Sequence, residues 1–170
     1  LNEFTNLNEL DISSQKIGVK GMQTLCKHLV IIGNGIKSLN LSGNEIGDDG
    51  FKLLIINCFD KLKKIKVLNL RENKISNESM IIFSDNYYKI QHTLKYLNLS
   101  WNRLSNEGML SLSKCDLSRI EVLKIRENEI GVDGITHLTL SFNKMSNISV
   151  LDLCWNNITS NGIEVLCKEL

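Results

Sequence analysis

The stretch IKSLNLSGNEI, residues 36–46, decides the fold because its pattern returns along the rest of the chain. An apolar residue is followed at fixed spacing by two further apolar residues, an amide residue and another apolar residue. Six copies align on the amide residue, which is Gln15, Asn44, Asn73, Asn102, Asn128 and Asn156. The successive intervals of 29, 29, 29, 26 and 28 residues are typical of a repeat array.

The six copies divide the chain into six units. Their bounds are approximately 7–35, 36–64, 65–93, 94–119, 120–147 and 148–170. Because the repeat fills nearly the whole length, we predict a single elongated domain over residues 1–170 without an internal linker. The chain starts and stops inside repeat units, so we expect it to be a fragment of a longer protein.

Each unit combines two apolar patterns. Residues 39–41 alternate apolar and polar side chains, which indicates a strand with one buried face. Residues 48–57 place Phe51, Leu54 and Ile55 at helical spacing, which indicates a helix behind the strand. A unit of this size buries its apolar face only against the next copy. The sequence therefore predicts an α/β fold, a right-handed α/β horseshoe with a parallel sheet on the concave side and helices on the convex side.

The recurring amide side chains have a mechanical role in this arrangement. Each lies where the chain leaves a strand, and the backbone groups of that turn need hydrogen-bond partners in a place that little water reaches. An amide carries both donors and an acceptor, so it can bond the turn of its own unit and that of the adjacent unit. We therefore predict a structural ladder formed by Gln15, Asn44, Asn73, Asn102, Asn128 and Asn156.

The charge balance excludes some classes of partner. Twenty Lys and Arg residues against nineteen Asp and Glu residues leave a net charge of +1. Nucleic acids and anionic membranes require concentrated positive charge, and this composition does not supply it. No apolar stretch approaches the roughly 20 residues that a membrane span needs. We expect neither nucleic acid nor a membrane among the partners.

Catalytic and metal-binding patterns are not evident. His28, His92 and His137 fall in different units, so a shared metal site or catalytic triad is not expected. The five cysteines have an odd count without C-x-x-C spacing, which argues against disulfides and zinc and favours a reducing compartment. We expect Cys26 and Cys167 to face the core. The sequence predicts no enzyme activity, no metal or cofactor and no small-molecule substrate.

The outward side chains of units three to six form the most informative surface. They include both tryptophans of the chain, and Trp and Arg often dominate protein–protein binding energy. Trp101, Trp155 and Tyr96 are the predicted anchors, and charged neighbours set the orientation. The complete predicted partner-binding set is Arg71, Glu72, Tyr96, Trp101, Lys124, Arg126, Asp152 and Trp155.

Structural alternatives stay open for these side chains. Each tryptophan could instead lie along the rim of the sheet and cover the stem of Glu72 or Glu127. The arginines Arg71 and Arg126 could form ordinary ion pairs with Glu72, Glu127 or Asp152.

A glycine recurs six residues after the ladder amide in five of the six units, at Gly21, Gly50, Gly108, Gly134 and Gly162. The repeat pattern, with its asparagine and glycine columns, resembles the leucine-rich repeat and, within that family, the ribonuclease-inhibitor-like subfamily. The resemblance covers residues 7–170 in six copies. It implies a cytoplasmic protein-binding scaffold whose partner docks on the concave sheet or its rim. The leading hypothesis is thus a non-enzymatic module that binds a protein partner. The alternatives are a regulator of a small GTPase, similar to the Ran-activating branch, and the sensing segment of a larger receptor or pathogen effector.

Overall fold

The computed structural model of the chain describes residues 6–170, in which six strands form one parallel sheet. The strand order in the sheet follows the order in the chain. The predicted domain begins at residue 1, so its first five residues lie outside the described part. The strands are β1 Glu9–Asp11, β2 Ser38–Asn40, β3 Val67–Asn69, β4 Tyr96–Asn98, β5 Val122–Lys124 and β6 Val150–Asp152.

An α-helix follows every strand, and neighbouring helices pack against one another in chain order. The helices are α1 Gly18–Ile32, α2 Gly47–Cys58, α3 Asn77–Asn86, α4 Asn106–Ser113, α5 Val132–Thr139 and α6 Thr159–Glu169. Short 3-10 turns follow three of them, at Gly33–Gly35, Tyr87–Lys89 and Phe142–Lys144. The open parallel sheet backed by helices confirms the predicted α/β solenoid.

The sheet register reproduces the period of the sequence. The central strand leucines pair across neighbouring strands, and they are Leu10, Leu39, Leu68, Leu97, Leu123 and Leu151. From β2 to β5 these leucines are fully buried. Because side chains alternate along a strand, the residues on either side of each leucine point away from this core. Those residues form what we call the open face of the sheet.

A column of polar side chains, which the repeat pattern does not predict, also links adjacent units. Its members lie four residues after a ladder amide, and they are Asp48, Asn77 and Asn106. The Asn106 Oδ1 atom accepts from the backbone N–H groups of Gly131 at 2.9 Å and Gly134 at 3.0 Å. A Cβ atom at Gly134 would lie 2.6 Å from this oxygen. Glycine at this position therefore leaves room for the contact between units.

The third unit carries serine where the other units carry that glycine. Ser79 is fully buried, and its hydroxyl donates to Asp48 Oδ1 at 2.5 Å. The other Asp48 oxygen accepts from the Ser76 hydroxyl at 2.7 Å. The pair Ser79–Asp48 thus replaces close backbone packing with a charge-assisted hydrogen bond between units.

All five cysteines are free, and their burial differs along the array. Cys26, Cys58 and Cys115 are buried, whereas Cys154 and Cys167 are exposed. The prediction that Cys167 faces the core is wrong. Its helix, α6, packs on α5 and has no following helix in the described part of the chain, so the outer side of α6 remains exposed.

Candidate functional site

The ladder amides fix the turns that carry the candidate site. Asn73 is buried, and its Oδ1 atom accepts from the Asn44 N–H group of the preceding unit at 3.1 Å. Its Nδ2 atom donates to Leu41 O at 2.8 Å and to Leu70 O at 3.2 Å. One side chain therefore bonds the turns of two units. Equivalent bonds to two units are made by Asn44, Asn102, Asn128 and Asn156.

Gln15 occupies the first ladder position and bonds differently. Its side chain is exposed and donates to Ser13 O in its own turn. Its backbone N–H group donates to Asn44 Oδ1 at 2.9 Å. Gln15 is thus held by the ladder through its backbone, and its own amide bonds only the local turn.

The residue before each ladder amide has a left-handed backbone conformation. This column, which we call the rim, has φ values between 52° and 67° and consists of Ser14, Gly43, Glu72, Trp101, Glu127 and Trp155. The left-handed region costs a residue other than glycine roughly 1–2 kcal/mol. The repeat turn therefore favours a glycine such as Gly43 at this position. Large aromatic side chains at Trp101 and Trp155 occupy it despite that cost.

Both rim tryptophans are substantially accessible to solvent. The Trp101 side chain is 43% exposed and the Trp155 side chain is 71% exposed. Tyr96 begins strand β4 on the open face and is half-buried. Two of the three predicted anchors, Trp101 and Trp155, therefore belong to the rim, and the third, Tyr96, belongs to the open face.

Each of these aromatic rings lies beside a cation from a neighbouring strand. The guanidinium carbon of Arg71 lies 5.5 Å from the centre of the Trp101 ring. That of Arg126 lies 5.7 Å from the Trp155 ring. A third pair joins Lys124 Nζ to the Tyr96 ring at 5.7 Å. Cation–π contacts of this length restrict the long basic side chains and keep them on the open face.

The three cations of this surface do not take part in ion pairs in the described part of the chain. The four ion pairs found there join Lys52 to Glu78, Lys74 to Glu45, Lys89 to Asp60 and Lys95 to Glu121. The alternative in which Arg71 and Arg126 pair with Glu72, Glu127 or Asp152 is therefore not the arrangement observed. The two arginines contact indole rings instead.

A hollow of about 230 Å³ lies among these cations. It is lined by Arg71, Asn98, Ser100, Trp101, Lys124, Arg126 and Asp152. Five of these belong to the predicted partner-binding set, which the fold brings together from strands β3 to β6. The remaining predicted residues lie around it. Tyr96 and Trp155 contact its cations, and Glu72 lines a separate groove of about 390 Å³ along the rim together with Lys74 and Trp101.

The strand pattern places Asn98 and Ser100 on the open face but predicts no binding role for them. Both are buried, with 6% and 3% of their surface exposed, and they form the floor of the hollow. One feature of the sequence marks this part of the open face, namely an exception in the column of Asn98. The strand residue at the position of Asn98 is Asp or Asn in five units, and in the fifth unit it is Lys124.

Lys124 breaks a local hydrogen-bonding pattern. In the other strands the Asp or Asn side chain accepts from the backbone N–H group two residues later, as Asn98 Oδ1 does from Ser100 N at 3.0 Å. A lysine has no acceptor. The Arg126 N–H group donates instead to Ser100 Oγ in the preceding unit, at 3.2 Å.

The fold brings no metal-binding cluster together among residues 6–170. No group of three or more His, Cys, Asp or Glu side chains in that range could hold a metal ion. His28 and His137 lie on the separate helices α1 and α5, far apart in the array. In the same range, no helix is both long and apolar enough to span a bilayer.

Comparison with known families adds a final observation. Five segments match a family model described as Leucine Rich repeat, at residues 5–26, 36–54, 61–82, 91–113 and 144–167. Together they cover more than half of the chain. Residues 114–143 lie outside the matched segments, yet they contain β5, α5 and the ladder residue Asn128. No curated protein matches the chain.

Proposed function

The chain belongs to the leucine-rich repeat family, and we propose that it is a non-enzymatic module that binds a protein partner through its open face in units three to six. Proteins built from these repeats are typically non-enzymatic scaffolds, and their repeats generally mediate protein–protein interaction. The finer assignment, to the open face and to named residues, rests on the side chains of strands β3 to β6.

The observation that carries this proposal is the pair of exposed tryptophans at left-handed positions. A residue held in a sparsely populated backbone conformation marks a place where function can outweigh local stability. Trp155 leaves 71% of its surface exposed and Trp101 leaves 43%, so packing within the chain does not account for the whole of either side chain. Trp and Arg are the side chains that most often dominate protein interfaces. Two Trp–Arg pairs on one face therefore fit a surface that binds protein.

The test first identifies a partner by photo-crosslinking from the open face. A photo-crosslinking amino acid replaces Trp155, and the same amino acid at Tyr88 serves as the control. Tyr88 is 61% exposed and has Lys89 Nζ 5.9 Å from its ring, so it matches the Trp–Arg pairs chemically. It lies in the 3-10 turn after α3, away from the open face. We expect a crosslinked partner at position 155 that is absent at position 88.

The affinity of that partner is then measured by calorimetry for three proteins. These are the wild type, the double variant Trp101→Gly/Trp155→Gly, and Tyr88→Ala. Removal of two interface anchors at about 2 kcal/mol each weakens binding by roughly three orders of magnitude. The Tyr88→Ala variant keeps the wild-type affinity. Equal affinities of the wild type and the double variant would contradict the proposal.

The narrower subfamily and the compartment are part of the same proposal. A strand followed by an α-helix in each unit, with repeat intervals of 26–29 residues, supports a ribonuclease-inhibitor-like protein. Five free cysteines support a reducing compartment, and hence a cytoplasmic location. The near-neutral charge supports a protein partner over nucleic acid or a membrane surface. We also propose that residues 1–170 form one domain.

A further inference from the structure

We propose that the hollow between Arg71, Lys124 and Arg126 binds a phosphorylated side chain of the partner protein. This inference rests on the proposed function, in which the open face binds a protein partner. It adds the chemical group of that partner that the open face recognises. It specifies a phosphate monoester rather than a carboxylate. Three observations support it: the charge of the hollow, its hydrogen-bond donors, and the lysine at position 124, where the other five strands carry Asp or Asn.

The charge of the hollow matches a dianion. Three cations line it, and Asp152 is its single carboxylate, which leaves a formal excess of two positive charges. In the described part of the chain, none of the three cations has a carboxylate oxygen within ion-pair distance. A phosphorylated side chain carries a charge of about −1.5 to −2 at pH 7. A glutamate or aspartate of a partner would neutralise only half of the excess.

The floor of the hollow supplies donors. Ser100 Oγ accepts from Arg126 N, and its hydroxyl hydrogen has no acceptor among the described residues. Asn98 Nδ2 makes only a long contact of 3.5 Å with Tyr96 Oη. Both side chains are buried and face the hollow. A phosphate has three strong acceptor oxygens, so it can use donors from the floor and from the cations at once.

The indole rings hold the arginines without using their hydrogen-bonding capacity. A guanidinium contacts an aromatic ring through its π-system, and its N–H donors stay free to bind an oxyanion. Arg71 and Arg126 occupy equivalent positions two residues after β3 and β5, on opposite sides of Ser100, which lies two residues after β4. An oxyanion above Ser100 therefore lies between two guanidinium groups.

The lysine at position 124 replaces an acceptor with a cation. An asparagine there would satisfy the Arg126 N–H group locally, as Asn69 does for Arg71. With lysine present, that N–H group bonds Ser100 Oγ. This single difference adds a positive charge to the hollow and leaves the Ser100 hydroxyl as a donor.

The test uses the whole chain and a small probe, N-acetyl-O-phosphoserine methylamide. The probe is titrated at constant ionic strength while backbone amide NMR shifts are recorded for Ser100 and Arg126. The comparison ligand is N-acetylglutamate methylamide. We expect the phosphate probe to bind about tenfold more tightly, because it engages more charge-assisted hydrogen bonds. Its binding weakens as the pH falls through about 6, where the phosphate becomes a monoanion, whereas glutamate binding does not.

Two variants locate the site. Arg126→Gln removes one guanidinium, and Lys124→Asn restores the local acceptor while removing a cation. Each weakens phosphate binding by about tenfold. Lys124→Asn also keeps the unfolding midpoint at or above that of the wild type, so its loss of binding is not a loss of folding. The control Arg119→Gln removes an exposed arginine outside the hollow and leaves binding unchanged.

Two results would overturn the inference. One is equal binding of the phosphate and glutamate probes by the wild type at pH 7. The other is unchanged phosphate binding in both Arg126→Gln and Lys124→Asn. Neither result depends on a protein partner, so a failed phosphate site remains distinguishable from a failed protein-binding face. The latter is tested separately, by the affinity of Trp101→Gly/Trp155→Gly for the captured partner.

Discussion

The guanidinium carbon of Arg71 lies 5.5 Å from the centre of the Trp101 ring, which projects from the next unit of the array. Two units further on, Arg126 and Trp155 repeat the relationship at 5.7 Å. The arginine belongs to the end of one strand and the tryptophan to the rim of the following unit. Side chains that are already held in place lose less conformational entropy when a partner binds. The two pairs therefore form a surface prepared for contact.

Trp155→Gly is expected to change the free energy of unfolding by less than about 1 kcal/mol. Glycine relieves a left-handed strain of about 1–2 kcal/mol. The substitution also removes an exposed cation–π contact, which lowers the free energy of unfolding by about 0.5–1 kcal/mol. Glycine gives the unfolded chain more conformational freedom, which lowers it by about 0.5–1 kcal/mol more. These changes offset one another because the side chain buries little surface. Urea unfolding measures the result. A loss of several kcal/mol would mean that Trp155 stabilises the fold rather than serving binding.

The period of the sequence was enough to predict the strands and the helices. These features depend on backbone spacing, and a repeat of 26–29 residues fixes that spacing in every unit. The partner of a long surface side chain depends instead on its rotamer. Arg71 could reach Glu72 or an indole ring, and the sequence alone left both open. The prediction for Cys167 is wrong because helical spacing does not indicate that α6 packs on α5 alone among the described helices.

The polar column of Asp48, Asn77 and Asn106 was missed for a related reason. These residues lie in the first turn of a helix, where Asp and Asn are common for local reasons. Their bonds reach the following unit instead, as Asn77 Oδ1 does to Ser105 N at 2.9 Å. Such contacts follow from the distance between stacked helices, which a single unit does not show.

Asn73→Ala is expected to destabilise the chain by about 3–5 kcal/mol. The substitution removes the acceptor of Asn44 N and Ile46 N and the donor to three carbonyl groups. Each buried group left without a partner costs about 1–3 kcal/mol. Gln15→Ala is the matched control, because that amide is exposed and bonds only Ser13 O. Its expected cost is below about 1 kcal/mol. Similar urea midpoints for the two variants would contradict a bridging role for Asn73.

Ser79→Ala is expected to destabilise the chain by about 1.5–3 kcal/mol, although it moves the position closer to the glycine of the other units. The hydroxyl donates to the Asp48 carboxylate, and hydrogen bonds to charged groups contribute about this much. Ser84→Ala is the control, because the Ser84 hydroxyl donates only to a carbonyl within its own helix. Thermal unfolding compares the two, and an equal shift in Tm would argue against a special contact between units.

Acid should weaken the Asp48 contact. Burial opposes ionisation of this carboxyl, but hydrogen bonds from Ser79 and Ser76 outweigh it and hold its pKa below the ordinary value. A lowered folded-state pKa means that the contribution is fully present above about pH 4 and is lost as the pH falls through the folded-state pKa. The wild type is therefore expected to be more stable than Asp48→Asn at pH 7, and this difference in the free energy of unfolding should shrink toward pH 2. A difference that grows on acidification would contradict this assignment.

Cys154 offers a direct footprint of the open face. It is exposed at the end of β6, and a hydrogen bond to Asp152, with the negative charge of that carboxylate, raises the pKa of its thiol. Because the thiolate is the reactive form, Asp152→Asn should speed its modification by a disulfide reagent roughly twofold or more at pH 7. The asparagine keeps an oxygen for the Cys154 N–H group, which Asp152 Oδ1 now accepts at 3.1 Å.

Modification of Cys154 should also slow when a partner occupies the open face, since the thiol lies in the unit that carries Trp155. Cys167 is exposed on α6, on the helical side, and serves as the internal control in the same molecule. Mass spectrometry of the labelled chain separates the two sites. Protection of Cys154 with continued labelling of Cys167 is the expected result. Protection of Cys167 alone would place the partner on the helices and exclude the open face as its binding site.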